Sequence, residues 1–360
     1  ECQIDSNSAT DGGGLYLSGT TGQVDHCQIF GNTASQKGGG FFMGDGAVTE
    51  LFENDIHNNS AMDGAGGAIL WSSKPFIHDV RIYANTASAN GGGFFIHEGS
   101  IPVILKSLIV ENSAVEGRAI YTLASGSLIN YCTLTAESDA TEGWLFRAGV
   151  GDRTMISNSI LGEPSWAEVT HSTIKSTESF LAITYSDILD SIDVIYPGNG
   201  NDNVNPEFVG SGSTVAERYQ LAATSPVLNH SESGDEIGFT GGSSSLTWAV
   251  TLALLQNPAQ YSSLHFVLTS TIPLMSAPYV YIEQDRPDTV EYSPVDSSYM
   301  TQIAPMIYSL PYYQDDVDYP SRATFSFTNT FGNDTTFVQD FIASNLTSDG
   351  GLITFGQLIT

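Results

Sequence analysis

The sequence predicts an all-β protein whose first part is a parallel β-helix, a solenoid in which each coil stacks on the one before. One observation is a phrase that returns about every 26 residues and ends in a glycine run followed by apolar residues. Another is an isoleucine three positions before the asparagine of each copy. The copies are IDSNSATDGGGLYL (4–17), IFGNTASQKGGGFFM (29–43), IHNNSAMDGAGGAIL (56–70), IYANTASANGGGFFI (82–96) and IVENSAVEGRAIY (109–121).

Helical repeats of this length are excluded by the glycine runs. A helical unit would need roughly ten residues of 3.6-fold apolar spacing without internal glycine. Each copy instead has short apolar stretches such as CQIF, FFM and AIL, separated by Gly, Asn, Ser and Asp. This pattern predicts two or three brief strands per coil.

Each coil should contribute the same side chains to the same columns, because equivalent residues lie one strand spacing apart, about 4.8 Å. An inward isoleucine column would gain about 1.5–3 kcal/mol per buried side chain. The asparagine column should lie at a tight bend with its amides bonded to each other, since Asn tolerates left-handed backbone geometry. The predicted columns are Ile4, Ile29, Ile56, Ile82 and Ile109, and Asn7, Asn32, Asn59, Asn85 and Asn112.

The composition favours a secreted β-rich protein that does not bind nucleic acid. Forty acidic residues against 11 basic ones give a net charge of −29, which repels nucleic acid and anionic membranes. The 36 glycines and the low charged fraction of 14% are typical of extracellular β proteins. No run reaches the roughly 18–20 apolar residues of a membrane helix, so direct membrane insertion is not expected. The sequence begins within the repeat pattern, which favours a piece of a longer polypeptide.

Three cysteines, Cys2, Cys27 and Cys132, fit one position of the repeat, five residues before the column asparagine in the first two copies. An odd number cannot pair completely within one chain. A metal or disulfide role is conceivable, but we favour unpaired cysteines stacked in the core as small apolar side chains.

Residues 1–121 resemble the right-handed parallel β-helix repeats of polymorphic outer-membrane-type surface proteins. Those repeats pair a Gly-Gly-Ala-Ile phrase with a short phrase ending in Asn, and GGAIL (66–70) matches best. Two copies depart from the pattern with Gly-Gly-Gly-Phe-Phe, and the fifth copy has GRAIY. The resemblance implies surface display and adhesion.

A second resemblance covers residues 154–234, where TMISNSIL, ITYSDIL, NVNPEFVG and YQLAATSPVLNHSESG follow in order. These phrases are similar to the closing coils of bacterial secreted β-helix proteins with a choice-of-anchor ending. That resemblance implies that the β-helix closes near residue 240. The expected organisation is β-helix repeats over 1–165, closing coils over 166–243 and a second β-helical unit starting over 244–360.

The second unit is expected to open with a short helical cap. Ser243 to Ser245 can cap a helix whose Leu246, Ala249, Val250, Ala253 and Leu254 share one face, and Pro258 would end it. The repeat phrase returns near the end of the chain, with Ile342 three positions before Asn345. This spacing predicts a parallel coil there.

Catalytic motifs are sparse. Galacturonan hydrolases of this fold need grouped aspartates with Gly-His-Gly and Arg-Ile-Lys phrases, and this sequence has neither phrase. Lyases of this fold need a basic residue near calcium-binding acids, and the basic residues here are scattered. His57, His78 and His97 fall at different positions of the repeat, so a stacked metal column is not expected.

Acid-rich turns could hold calcium through carboxylate and carbonyl oxygens, although their spacing matches no established calcium loop. The weak candidates are Asp202, Asp315, Asp316 and Asp318. Glycosylation acceptor tripeptides occur at Asn58, Asn229 and Asn333. A fourth tripeptide, at Asn345, matches the column asparagine and favours a structural role.

Together these features predict an extracellular or cell-surface β-solenoid that is structural or adhesive and not an enzyme. Its expected partners are further copies of itself in a filament or array, or a host or cell-surface protein or glycan. No cofactor is expected other than calcium. The alternatives are a carbohydrate-active β-helix enzyme, either a polysaccharide lyase or a glycoside hydrolase, and a sugar-binding module.

Overall fold

The fold is given by a computed structural model that divides into two compact units, Glu1–Ser243 and Ser244–Thr360. Each unit is considered by itself. The structure describes residues 2–136, 144–162, 173–189, 198–231, 234, 236–239, 249–257, 260–270, 277–285, 293–304, 307–313, 320–328, 334–341 and 353–358.

Four short strands make up each of the first four coils of the first unit. Coil one contains β1 (Cys2–Asp5), β2 (Ser8–Asp11), β3 (Leu15–Ser18) and β4 (Thr21–Asp25), and coil two contains β5 (Cys27–Phe30), β6 (Thr33–Lys37), β7 (Phe41–Gly44) and β8 (Val48–Phe52). Coil three contains β9 (Asp55–His57), β10 (Ser60–Asp63), β11 (Gly67–Ile69) and β12 (Phe76–His78), and coil four contains β13 (Arg81–Tyr83), β14 (Thr86–Asn90), β15 (Phe94–His97) and β16 (Val103–Leu105). The sequence predicted two or three strands per coil, so the four-strand coils correct that count.

Later coils contribute three strands each within the described residues. These strands are β17 (Leu108–Val110), β18 (Ile120–Leu123), β19 (Gly126–Asn130), β20 (Thr133–Thr135), β21 (Phe146–Ala148), β22 (Arg153–Ser157), β23 (Ile160–Gly162), β24 (Ile174–Ser176) and β25 (Phe180–Thr184), followed by β26 (Asp187–Ile188).

Strands from successive coils pair in parallel to form four sheets, which we name A to D. Sheet A has the order β1-β5-β9-β13-β17-β20-β23-β26, and sheet B has the order β14-β10-β6-β2. Sheet C has the order β24-β21-β18-β15-β11-β7-β3, and sheet D has the order β25-β22-β19-β16-β12-β8-β4. Each strand therefore pairs with its equivalent one coil away, and the predicted parallel β-helix is confirmed.

The isoleucine column runs through the core along sheet A. Ile4, Ile29, Ile56, Ile82 and Ile109 are direct register partners in turn, and the column continues through Leu134, Leu161 and Ile188. Ile4 is partly buried, and the others are almost completely removed from solvent. Burial of one aliphatic residue per coil is the main apolar contribution of this sheet.

The asparagine column forms a hydrogen-bonded amide ladder. In Asn32, both the backbone amide and Nδ2 donate to Oδ1 of Asn59, at 3.0 and 3.1 Å. The same pattern links Asn7 to Asn32, Asn59 to Asn85 and Asn85 to Asn112. The other hydrogen of each Nδ2 group is donated to a carbonyl oxygen of the preceding coil. Asn59 Nδ2, for example, donates to the carbonyl oxygen of Ile29 at 2.9 Å. Each buried amide is thereby satisfied at both its oxygen and its nitrogen.

Left-handed backbone geometry lies one residue before each column asparagine, which corrects the expectation that the asparagine itself adopts it. The corner residues are Ser6, Gly31, Asn58, Ala84 and Glu111, with φ between 53° and 62°. The corner residue carries the positive φ, and the next side chain then points inward to bond with its neighbours. Three other corners of the coil also use left-handed residues, such as Gly64 (φ 66°), Asp79 (φ 53°) and Glu98 (φ 56°).

The glycine run of the phrase has a packing role as well as a turning role. At Gly64, which turns the chain, an added Cβ would lie 2.5 Å from the carbonyl oxygen of Gly67. At Gly40 an added Cβ would lie 2.8 Å from Cγ2 of Ile56 and 3.1 Å from Nδ2 of Asn59. The backbone at this position therefore packs directly on both columns of the next coil.

A closing segment covers part of sheet A's outer face. It contains the one-turn helix α1 (Val215–Arg218), whose Thr214 accepts from the Glu217 amide in a capping box. Val215 packs with Leu108 and Val110 of the sheet. Arg218 Nη2 lies 2.9 and 3.1 Å from the two carboxylate oxygens of Glu111, which ties the segment to the coil corner.

The second unit differs from the prediction, because residues 249–257 of the expected helical cap form a strand. Its strands pair antiparallel, in contrast to the predicted parallel coils. They are β27 (Ala249–Asn257), β28 (Gln260–Ser270), β29 (Tyr279–Gln284), β30 (Ser293–Tyr299), β31 (Thr301–Ala304), β32 (Ile307–Tyr313), β33 (Ser321–Thr328), β34 (Asp334–Phe341) and β35 (Ile353–Leu358). They form two sheets of orders β31-β32-β28-β27-β35 and β30-β29-β33-β34.

The helix prediction failed because the apolar residues of β27 also suit a strand. Six of the nine residues of the segment AVTLALLQN are apolar, and such a run fits a buried strand as well as a helix face. Its pairing with β28 and β35 decides between the two, and sequence spacing carries no information on that pairing. Ile342, Asn345 and the predicted coil around them lie outside the described residues.

Replacement of Ile56 with Asp should unfold the central coils. Ile56 is completely buried between Ile29 and Ile82, so the variant places a carboxylate in the core and removes an aliphatic side chain. We expect the free energy of unfolding to fall by about 4 kcal/mol or more, measured by urea denaturation. Val48→Asp is the control, since Val48 is 46% exposed and should lose no more than about 1 kcal/mol. Equal stability of the two variants would contradict the inward column.

Candidate functional site

An open groove of about 620 Å³ lies on the outer face of sheet A beside the first coils. Its lining residues are Cys2, Gln3, His26, Cys27, Gln28, Glu53, Asp55 and Arg81. Parallel register produces this set, because Gln3, Gln28, Asp55 and Arg81 are successive partners along the sheet. Side chains of different chemistry are thus brought onto one strip, while the inward positions of the same strands repeat isoleucine.

Acidic and basic groups converge in this groove, which we call the sheet A groove. His26 lies at a coil corner, with Nε2 2.5 Å from Glu53 Oε2 and Nδ1 3.1 Å from Asp25 Oδ2. Arg81 Nε pairs with an oxygen of Asp55. The His26 side chain is 46% exposed, so its ion pairs contribute little to stability. These groups are better placed to contact a polar ligand than to hold the fold together.

Cys27 is not an activated nucleophile. Burial, together with the interaction of its thiol with Cys2, raises the pKa of Cys27 to about 11. The Cys27 thiol also lies 3.1 Å from the Asp25 carbonyl oxygen, to which it donates. Because a thiolate is the reactive form, Cys27 at neutral pH lacks the ionisation that a Cys-His nucleophile requires.

A second surface feature is a strip of rings on the outer face of sheet C, which we call the aromatic strip. It contains Tyr16, Phe42, Trp71, Phe95 and Tyr121. Tyr16 stacks on Phe42 at 4.9 Å between centroids, Trp71 meets Phe42 edge-on at 5.3 Å, and Phe95 stacks on Tyr121 at 5.6 Å. Tyr16 and Trp71 are 52% and 42% exposed, so part of the strip faces solvent.

Cationic side chains extend the aromatic strip along sheet C. Arg147 is the register partner of Tyr121, with its guanidinium carbon 6.0 Å from the ring centroid and Nε 3.2 Å from Glu116 Oε2. Lys175 follows in the same column and lies over the Trp144 ring at 3.6 Å. Exposed rings beside oriented charges can contact both the apolar faces and the hydroxyl or carboxylate groups of a sugar.

The predicted calcium residues are placed as follows. Asp202 is the bridge partner of Asp187 at the end of sheet A, and its Oδ1 accepts from the Asn203 amide. Asp315, Asp316 and Asp318 lie outside the described residues. Within the described part of the chain there is no group of three or more His, Cys, Asp or Glu side chains arranged to hold a metal ion.

Asp187 is a buried carboxylate that the sequence did not single out. It is completely buried, and its Oδ1 accepts from the Val204 amide at 2.9 Å. Its Oδ2 is also buried and has no hydrogen-bond partner among the described residues. Burial, with a smaller contribution from the charge of Asp202, raises the pKa of Asp187 to about 7. Burial likewise raises the pKa of Asp152 to about 6.

The other predicted positions are dispersed. Asn58 and Asn229 are exposed, as a glycan acceptor requires, whereas Asn333 lies outside the described residues. His57 stacks between Phe30 and Tyr83 in one column, and its burial lowers its pKa.

His78 lies in a different column from His57, stacked on Phe52 and bonded to Glu50 and Asp79 at 3.0 and 2.9 Å. His97 lies in a third column, beside Phe95. The three histidines therefore do not approach one another along a column.

Sequence reasoning missed the aromatic strip and Asp187 for different reasons. The second phenylalanine of the double-Phe phrase was the available signal for the strip. In a strand it must point opposite to the first, and Phe42 and Phe95 indeed lie outside the core that contains Phe41 and Phe94. Asp187 had no such signal, because the chain around Val204 buries an outward position of the sheet.

Stability should fall as pH rises from 5 to 8. The folded chain keeps the Asp187 and Asp152 protons at pH values where the unfolded chain has released them, since the ordinary pKa is 3.8. This contribution is complete below about pH 4 and is lost as pH rises through about 6 and 7, with a slope of up to roughly 1.4 kcal/mol per pH unit for each carboxyl group.

Asp187→Asn should flatten the pH dependence of Tm and raise Tm at pH 8. Asp5→Asn, at an exposed position, is the control and should change neither. A wild-type Tm that rises from pH 5 to 8 would contradict the assignment.

Comparison with known proteins supports the fold and leaves the activity open. Residues 1–160 match the family described as right handed beta helix region. No curated protein matches the chain. Within the described residues no helix is long and apolar enough to cross a membrane. The parallel coils of sheets A to D make the first unit a parallel β-helix, and the match over residues 1–160 is to a right-handed one.

Proposed function

We propose that the chain is a structural and adhesive β-solenoid of the cell surface or extracellular space, part of a surface adhesin or filament-forming protein, and not an enzyme. The observation that supports this is the unbroken amide ladder from Asn7 to Asn112, which lies beside the isoleucine column. The ladder joins the first five coils to one another, and the aliphatic column continues through the later coils. Stacked repeats of this kind gain stability from each neighbour interface, and a solenoid of this kind resists local opening.

The division between constant interior and variable exterior supports a contact role. Along sheet A the inward column at Ile29, Ile56 and Ile82 stays aliphatic, whereas the outward partners change from Gln28 to Asp55 to Arg81. The fold therefore tolerates variation on its flank without change to the columns that stabilise it. A long flank with such freedom suits recognition of another protein, a glycan or a further copy of the chain.

A sugar-binding module is the second candidate, and the aromatic strip favours it. Exposed Tyr16 and Trp71 offer ring faces for apolar sugar surfaces, and Arg147 lies in register at the same strip. An acidic sugar would be attracted to Arg147, whereas the strongly acidic remainder of the protein would repel it. Binding at the strip is compatible with the structural role and needs no catalytic residue.

A bead-retention assay under flow tests the proposal. Beads coated with the protein are passed over surfaces that carry acidic polysaccharides, neutral polysaccharides or matrix proteins, and the retained fraction is measured. The same polysaccharides are incubated with the soluble chain, and products are detected as new reducing ends or unsaturated-bond absorbance. We expect retention on at least one surface without product. Product formation above the buffer blank would overturn the non-enzymatic assignment.

Paired variants separate the two candidates in the same assay. Tyr16→Ala and Trp71→Ala should lower retention on polysaccharide several-fold if the aromatic strip binds sugar. Tyr299→Ala is the control, because Tyr299 is an exposed ring of the second unit that does not belong to the aromatic strip. Unchanged retention in all three variants would exclude the strip as the sugar contact.

A further inference from the structure

The three cysteines share one position of the coil but not one environment. Cys2 and Cys27 are register partners in β1 and β5, so they are immediate neighbours in sheet A. Cys132 lies further along the same column, and Asn54, Val80 and Ser107 occupy the coils between. Cys2 is exposed, whereas Cys27 and Cys132 are buried.

The geometry of Cys2 and Cys27 fits a cross-strand disulfide. Neighbouring strands lie about 4.8 Å apart, and a disulfide bridges Cα atoms about 4.4–6.8 Å apart. Direct partners in a parallel pair point their side chains to the same side of the sheet. Cys2 lies close enough to Cys27 to raise the pKa of the Cys27 thiol. The register therefore already places the two cysteines side by side, as a disulfide requires.

We propose that Cys2 and Cys27 form a disulfide that joins the first coil to the second, while Cys132 remains a thiol. This inference goes beyond the proposed function and does not depend on it. With Cys2 and Cys27 paired, Cys132 is the one cysteine left over. Its neighbours in the column are serines, and its backbone amide donates to Ser159 Oγ, so it has no cysteine beside it to pair with. Cys132 is also fully buried, and burial raises its pKa to about 12, so it stays protonated.

A low-molecular-weight disulfide of the glutathione type, RSSR, is the oxidant. The Cys2 thiolate attacks one sulfur of RSSR, so a Cys2–S–S–R bond forms and the RS–SR bond breaks with release of RS⁻. The Cys27 thiolate then attacks the Cys2 sulfur, which forms the Cys2–Cys27 bond and releases a second RS⁻. The two protons from the cysteines end on the released thiols, giving two RSH for each RSSR consumed.

The second step should be limited by ionisation of Cys27. The Cys27 thiol donates to the Asp25 carbonyl oxygen and has a pKa raised to about 11, chiefly by burial. Only the small thiolate fraction attacks, and that fraction grows about tenfold per pH unit below the pKa. The closing rate should therefore rise about tenfold from pH 7 to pH 8.

Oxidation of the full chain by glutathione disulfide, followed by mass spectrometry, tests the proposal. Cleavage before aspartate separates the two cysteines at Asp5, Asp11 and Asp25, so a disulfide appears as two linked peptides. Thiol titration in denaturant should fall from three groups to one. The oxidised chain should have a higher Tm than the reduced chain, and the difference should vanish on addition of a reductant.

Three serine variants make the outcome decisive. Cys132→Ser should still form the linked peptides, whereas Cys2→Ser and Cys27→Ser should not, and neither of these two should gain Tm on oxidation. A wild-type chain in which Cys2 carries only glutathione, or links only to Cys2 of another copy, would overturn the proposal. A closing rate independent of pH would overturn the role of the Cys27 thiolate.

Discussion

The structure of the first unit depends on the buried amide ladder. An asparagine side chain inside a protein is costly unless its oxygen and nitrogen are both bonded, and here each amide finds its partners only in the adjacent coils and in the isoleucine carbonyl one coil back. A change of register by one residue would leave every ladder amide unpaired and turn the isoleucines outward. The ladder therefore specifies the register, while the aliphatic column adds one buried apolar side chain per coil to the core. The sheet A groove, the aromatic strip and the cysteine pair all follow from that register.

Much of the first unit could be predicted from sequence because its interactions are local in the repeat. The Ile and Asn positions recur at the same phase, so stacking follows from the period alone, and the structure places Ile29, Ile56 and Ile82 as direct partners. The left-handed corner was assigned one residue too late, because Asn tolerates positive φ well and the sequence does not show which of two adjacent residues turns. In the second unit β27 pairs with the adjacent β28 and with the distant β35, and no periodicity indicated the antiparallel pairing with either strand.

The surface features could be predicted less well than the core, for a physical reason. Outward positions are not held by stacking, so their chemistry varies between coils, and only the register reveals which of them meet. Arg81 with Asp55, and Arg147 with Tyr121, became neighbours only when the strands were aligned. The charged and aromatic groups that a partner would contact are therefore products of the fold that no contiguous motif records. A structural solenoid whose flank carries recognition is consistent with this arrangement.

The most direct test of the ladder is the stability of Asn59→Ala compared with Asn58→Gly, measured by urea denaturation. Asn59→Ala removes the acceptor of the Asn32 amides and the side-chain donor to Asn85 and to the Ile29 carbonyl oxygen, and the free energy of unfolding should fall by about 3 kcal/mol. Asn58 is exposed at φ 53°, where glycine is tolerated, so Asn58→Gly should stay within about 1 kcal/mol of wild type. Wild-type stability in Asn59→Ala, or equal losses in both variants, would contradict the account.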